Sequence, residues 1–90
     1  MGFQNYPFTY GQATCTGTAT SIVAANQARQ WVTVVNLGTT DVYIGDANVT
    51  TSTGQLLAGI KGASLTMQTT SALYGITSGS SQAVSYMSTQ

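Results

Sequence analysis

Residues 28–45 read ARQWVTVVNLGTTDVYIG, and this stretch decides the fold class. Trp31 and β-branched residues dominate 28–36, and their side chains alternate between two faces with the period of two that a strand requires. The segment 37–40 is typical of a turn, because it contains Gly38 and follows Asn36, and Asn and Gly tolerate left-handed dihedral angles. Residues 41–45 then read as a second short strand. We therefore predict a hairpin over 28–45.

Similar strand-like segments lie on both sides of this stretch, with turn residues between them. They are 18–23, 56–60, 63–69, 72–77 and 83–88. With the two strands of the predicted hairpin, they make about seven short strands, which is typical of a small antiparallel β-sandwich or a jelly-roll-like barrel. Residues 22–30 lack a clear apolar stripe, so we expect a loop there and not a helix. The predicted fold class is all-β.

The first 17 residues differ from the rest of the chain in composition and in pattern. Residues 1–17 contain three glycines, the only proline and four aromatic residues without a sustained period. We interpret 1–17 as an extended N-terminal arm and 18–90 as a single β-domain; the alternative is that 8–12 form a first core strand. Burying the aromatic rings would roughly offset the entropy lost on ordering the arm, so we expect it to be ordered only against a partner. The candidate partner interface consists of Phe3, Tyr6, Phe8 and Tyr10.

Charge is scarce in this chain. Two basic and two acidic residues give a net charge of zero, and only 4% of residues are charged, against roughly 25% in ordinary domains. Such a chain has no basic surface for nucleic acid or anionic lipid. It also has no apolar run long enough to span a membrane. Because 25 of the 90 residues are Ser or Thr, hydroxyl groups or neighbouring subunits must cover the surface. We expect a homo-oligomer.

The residue types that usually carry catalysis are almost absent. The chain has no histidine and a single cysteine, Cys15, which we expect to be a small, partly buried thiol. Asp41 and Asp46 are the only carboxylate side chains, and an extended segment between them would separate them by roughly 16 Å. We expect both to bond to backbone in turns. We predict no enzymatic activity, no metal and no cofactor.

The segments 29–36 (RQWVTVVN), 41–45 (DVYIG), 73–76 (LYGI) and 84–86 (VSY), with the hydroxyl-rich residues 49–54 between them, follow one another in a characteristic order. In this order, the stretch 29–86 resembles small virion structural proteins of tailed bacteriophages, such as capsid decoration (cement) proteins and head-fibre β-domains. The resemblance implies a β-sandwich, usually a homotrimer, bound to the major capsid protein or another virion protein. It also implies a chain made in the host cytoplasm and located in the virion.

An alternative function is a tail or fibre β-domain that binds a host-surface glycan. Sugar sites favour exposed aromatic rings beside Asp and Asn, and Tyr43, Asp41, Asp46 and Asn48 lie close together in sequence. Outward-facing aromatic residues such as Tyr43 and Tyr74 are also weaker candidates for a protein interface, because either could instead belong to the core. The start of the chain lacks the features of a signal peptide, so we expect synthesis and folding in a reducing cytosol.

Overall fold

Short segments with alternating inward and outward side chains form the strands of the protein. The computed structural model describes residues 8–89, and the side chains from Thr9 onward. Within that range the chain is all-β and has no helix, which confirms the predicted fold class. The strands are β1 (Phe8–Cys15), β2 (Thr20–Val23), β3 (Val32–Asn36), β4 (Val42–Gly45), β5 (Gln55–Leu57), β6 (Ser64–Met67), β7 (Leu73–Ile76) and β8 (Gln82–Thr89).

The strands form two antiparallel four-stranded sheets, in the orders β1-β8-β3-β6 and β2-β7-β4-β5. The pairs β1–β8, β2–β7, β3–β6 and β4–β5 are nested inside one another, as in a single long hairpin. This hairpin is wrapped so that successive pairs fall in alternate sheets. Such nesting of eight strands in two sheets is the jelly-roll arrangement of a β-sandwich.

The hairpin predicted over 28–45 is wrong. Strand β3 pairs with β6 and β8, whereas β4 pairs with β5 and β7, so the two strands lie in different sheets. The chain between them crosses from one sheet to the other. The chain does bend at 38–40, but neither Asn36 nor Gly38 has the left-handed dihedral angle on which the turn prediction rested. The Asn36 side chain instead accepts a hydrogen bond from Gly38 N, and this local bonding serves a crossing between sheets as well as a hairpin.

The core lies between the two sheets and is built mainly by alternation, which β3 and β4 show most clearly. Val32 and Val34 point inward from β3, and Val42 and Ile44 point inward from β4. The other buried members of this cluster are Cys15, Ile22, Val23, Leu57, Leu73 and Val84. Because apolar residues of both sheets meet here, the register of each strand determines which of its faces is exposed.

Residues 8–15 of the predicted arm lie in the sheet. Strand β1 pairs with β8 over its whole length, from Phe8 opposite Thr89 to Cys15 opposite Gln82, which agrees with the alternative interpretation of a first strand. The sequence of β1 lacks a clear apolar alternation because its inward residues Gly11, Ala13 and Cys15 are small. Tyr86 of β8 lies over Gly11, where a Cβ would be 3.1 Å from its ring. Residues 1–7 lie outside the described part, and there the arm stays a prediction.

Asn36 holds the corner at which the chain leaves β3. Its side chain is fully buried. The Nδ2 group donates to Thr40 O at 2.9 Å and to Ala58 O at 3.0 Å, and Oδ1 accepts from Gly38 N at 2.9 Å. The side chain therefore ties the crossing segment and the β5–β6 connection to the end of β3.

We predict that Asn36→Ala lowers the free energy of unfolding by about 2–4 kcal/mol, because three backbone groups at a buried corner lose their partner. Urea denaturation followed by circular dichroism measures this change. The matched control is Asn48→Ala in an exposed loop, which should change stability by less than about 0.5 kcal/mol. Equal effects of the two substitutions would contradict the role assigned to Asn36.

Candidate functional site

The outer face of the β1-β8-β3-β6 sheet carries aromatic and aliphatic side chains among its hydroxyl and amide side chains. Alternation along β3 turns Val32 and Val34 into the core, and therefore turns Thr33 and Val35 outward. Trp31, which precedes the strand, shares the outward parity of Thr33 and is half-buried. The segment 31–35 thus contributes two valines to the core, and an indole ring and an aliphatic side chain to the outside.

The neighbouring strands extend this face. Thr33 lies opposite Met87 of β8, and Met87 lies opposite Tyr10 of β1. On the other side of β3, Thr33 contacts Thr66 of β6 through their hydroxyl groups at 2.8 Å. Together the strands form a shallow hollow, which we call the outer groove. It is lined by Tyr10, Gln12, Trp31, Thr33, Val35, Ser85 and Met87, together with Gly11 and Tyr86, which share the inward parity of Val34 on the same strands.

The outer groove is open to a partner and uncharged. Tyr10 is 74% exposed and Met87 is 45% exposed, and no lining residue carries a charge. Exposed aromatic and Met side chains on one contiguous patch are typical of protein interaction sites. The groove can thus bind an uncharged partner through apolar area, but it offers no charge to attract one.

The structure places only part of the predicted interface. Tyr10 lies in the outer groove. Phe8 begins β1, but its side chain lies outside the described part, as do Phe3 and Tyr6. A role in an interface stays a prediction for all four residues.

Sequence reasoning missed the other apolar residues of the groove, Trp31, Val35 and Met87. The alternation in β3 separates its two faces, but both are apolar. Alternation alone therefore could not tell which of the faces is exposed.

The two carboxylates do not form a paired site. They flank β4, and each accepts a hydrogen bond from backbone: Asp46 Oδ1 from Asn48 N at 2.9 Å, and Asp41 Oδ1 from Gly59 N at 2.6 Å. The local turn predicted for Asp46 is confirmed, whereas Asp41 reaches a distant loop. Within residues 8–89, no group of three or more His, Cys, Asp or Glu side chains could hold a metal ion.

Tyr43 and Tyr74 belong to neither the outer groove nor the core. Both are half-buried on the outer face of the other sheet, because their neighbours Val42, Ile44 and Leu73 point inward. The loop before β5 covers part of this face, since a Cβ at Gly54 would lie 2.6 Å from Tyr43 Cβ. Tyr43 and Tyr74 therefore keep their place as weaker candidates for an interface.

Arg29 is a buried cation whose role is structural. Its guanidinium donates to three backbone carbonyls: from Nε to Thr69 O at 2.8 Å, from Nη1 to Ala24 O at 3.0 Å, and from Nη2 to Ser71 O. The side chain is almost completely buried. It therefore fastens the loop after β2 to the loop before β7 and offers little charge to a ligand.

Cys15 is fully buried on the inner face of β1. Its Sγ approaches Gly75, where a Cβ would lie only 2.6 Å from the sulfur. Burial raises the pKa of the Cys15 thiol, because the thiolate is poorly solvated there. A thiol without solvent access and with a raised pKa is neither a good nucleophile nor available for a crosslink in the folded chain.

The fold is similar to that of a known appendage protein. A solved structure described as "Bacillus endospore appendages form a novel family of disulfide-linked pili" aligns with 99% of this chain and 90% of that chain, with a TM-score of 0.52 and 17% sequence identity. At this identity the likeness concerns the fold alone. No protein-family model and no curated protein matches the sequence. Within the described residues, no helix has the length and apolar character needed to cross a membrane.

We predict that Cys15 of the folded chain reacts with a thiol reagent about 100-fold more slowly than Cys15 of the urea-unfolded chain, because the reagent must wait for the core to open. Release of the coloured thiolate from an aromatic disulfide reagent at pH 8 measures both rates. A Ser21→Cys variant is the control, since Ser21 is exposed and its new thiol should react rapidly in the folded state. Equal rates for Cys15 in the folded and unfolded chain would contradict its burial.

Proposed function

We propose that this chain is a non-enzymatic structural subunit of an extracellular assembly that contains many copies of it. The outer groove carries this proposal. It is an exposed, uncharged patch with a tyrosine, a tryptophan and a methionine, residue types that are enriched where proteins contact one another. Among the described strands, β1, β2, β5 and β6 lie at sheet edges with one paired neighbour each, and contacts between subunits protect such edges.

The fold likeness supports an appendage-type assembly. The similar structure belongs to pili described as disulfide-linked. This chain has one cysteine, and that cysteine is buried. Contacts between its copies would therefore be non-covalent and would depend on apolar area.

A capsid decoration protein is the second candidate. The resemblance of 29–86 to virion proteins of tailed bacteriophages supports it, with a homotrimer seated on the major capsid protein. A decoration protein binds many equivalent sites on a finished shell, so it requires contact area more than charge.

The glycan-binding alternative gains no support from the geometry. Both of its carboxylates already accept backbone hydrogen bonds, Asp46 from Asn48 in its own turn and Asp41 from the distant Gly59. Electron microscopy of labelled particles from the source organism distinguishes the remaining two candidates, since label on filaments supports an appendage and label on capsids supports decoration.

We predict that the purified chain associates in a concentration-dependent manner and that salt has little effect. Between 50 and 500 mM NaCl, the apparent association constant should change by less than about threefold, because there are few ion pairs to screen. Sedimentation velocity over a concentration series measures this constant. A folded chain that stays monomeric at roughly 100 μM would contradict the proposed function, as would a steep loss of association with salt.

A further inference from the structure

We propose that the outer groove receives residues 1–7 of a second copy of this chain. The inference rests on the proposed function, because it names the contact by which copies would assemble. It assigns a donor segment and an acceptor surface to the same chain.

The segment and the groove match in chemistry. Residues 1–7 read MGFQNYP, which contains two aromatic rings, a proline and no charged side chain. The groove likewise has no charged lining residue, and it presents Trp31, Tyr10 and Met87 to an incoming ring. Aromatic rings pack well against other rings and against methionine sulfur. An uncharged aromatic segment therefore suits this groove better than a charged ligand does.

The segment is long enough to fill the groove. It precedes Phe8, which pairs with Thr89 at the end of the β1–β8 ladder. Seven extended residues span up to about 23–25 Å. The groove extends across three adjacent strands, β1, β8 and β3, which is a width of about 10 Å between the outer two strand axes.

The chemistry around Pro7 favours the groove of a neighbour. To enter its own groove, the chain would have to reverse direction immediately before β1. Pro7 has a fixed φ angle and biases Tyr6 toward an extended backbone. The glycine of the segment, Gly2, is too far from β1 to provide a tight reversal there. The segment is thus better suited to continue the direction of β1 away from its own sheet and to reach a second copy.

Crosslinking between differently substituted full-length chains tests this contact. One chain carries Phe3→Cys, the other carries Gln12→Cys in the groove, and a short bismaleimide joins thiols that lie close together. We expect at least about fivefold more crosslinked dimer than with Ser21→Cys as the acceptor, because a bound segment raises the local thiol concentration. Ser21 is the matched control, since it is exposed on the outer face of the other sheet. Unsubstituted chain, with only buried Cys15, gives the background.

Three outcomes would overturn the inference. The first is equal crosslinking to Gln12→Cys and Ser21→Cys, and the second is no crosslinking above background in samples that sediment as oligomers. The third is a crosslink inside a Phe3→Cys, Gln12→Cys double variant whose yield is unchanged by dilution to the monomer, which would place the segment in its own groove. In all three the chains can still assemble, so the proposed function would survive. If unsubstituted chains do not assemble at all, the proposed function fails as well.

A charge placed in the groove provides a second test. Met87→Glu should weaken association at least tenfold, because an unpaired carboxylate would be buried under the segment. The matched control is Ile60→Glu, since Ile60 is an exposed apolar residue (66%) outside the groove, and its effect should be under about threefold. Circular dichroism verifies that both variants fold. A larger effect of Ile60→Glu than of Met87→Glu would overturn the inference.

Discussion

The buried corner at Asn36 is the constraint on which the rest of the structure depends. All four polar groups of this residue are hydrogen-bonded: the side chain as described above, the backbone N to Ala63 O at 2.8 Å, and the backbone O from Gly62 N at 2.8 Å. These bonds fix where β3 ends and hence its register. A slip of one residue would turn Val32 and Val34 outward and turn Thr33 into the core. The outward position of the β3 residues that line the outer groove therefore depends on the corner at Asn36.

Sequence reasoning could predict the fold class and most of the strands, but it could not predict how the strands pair. Alternation in segments such as 32–36 and 42–45 is a local property and is visible in sequence. Pairing depends on whether the turn between them closes a hairpin or crosses to the other sheet, and Asn36 and Gly38 suit both. The sequence of β1 does not show a clear strand pattern, because Gly11 has no side chain and the ring of Tyr86 fills the space beside it. For the site, composition indicated Tyr10, whereas its partners lie on strands distant in sequence.

The scarcity of charge has a second consequence in the folded chain. Three of the four charged side chains bond to the chain's own backbone: Arg29 to the loops beside β2 and β7, Asp41 to Gly59, and Asp46 to Asn48. These three side chains use their charged groups to fix the geometry of loops, and they leave few charges to attract a partner. Association between such surfaces lacks electrostatic steering, so its rate should fall in the ordinary range of about 10⁵–10⁶ M⁻¹s⁻¹. Specificity must then come from the shape and area of the contact.

A contact between the first residues of one copy and the groove of the next has a defined symmetry. Each chain would donate one segment and accept one segment at a different surface, so the contact is heterologous. Repetition of a heterologous contact gives a closed ring when its rotation closes, and an open helical filament when it does not. A ring of three is the form implied by the resemblance to capsid decoration proteins, and a filament is the form of the appendage to which the fold is similar. The two candidate functions would therefore share one contact surface and differ in the angle between successive subunits. A substitution in the groove would disrupt either assembly, whereas a change in the residues joining the segment to β1 could convert one form into the other.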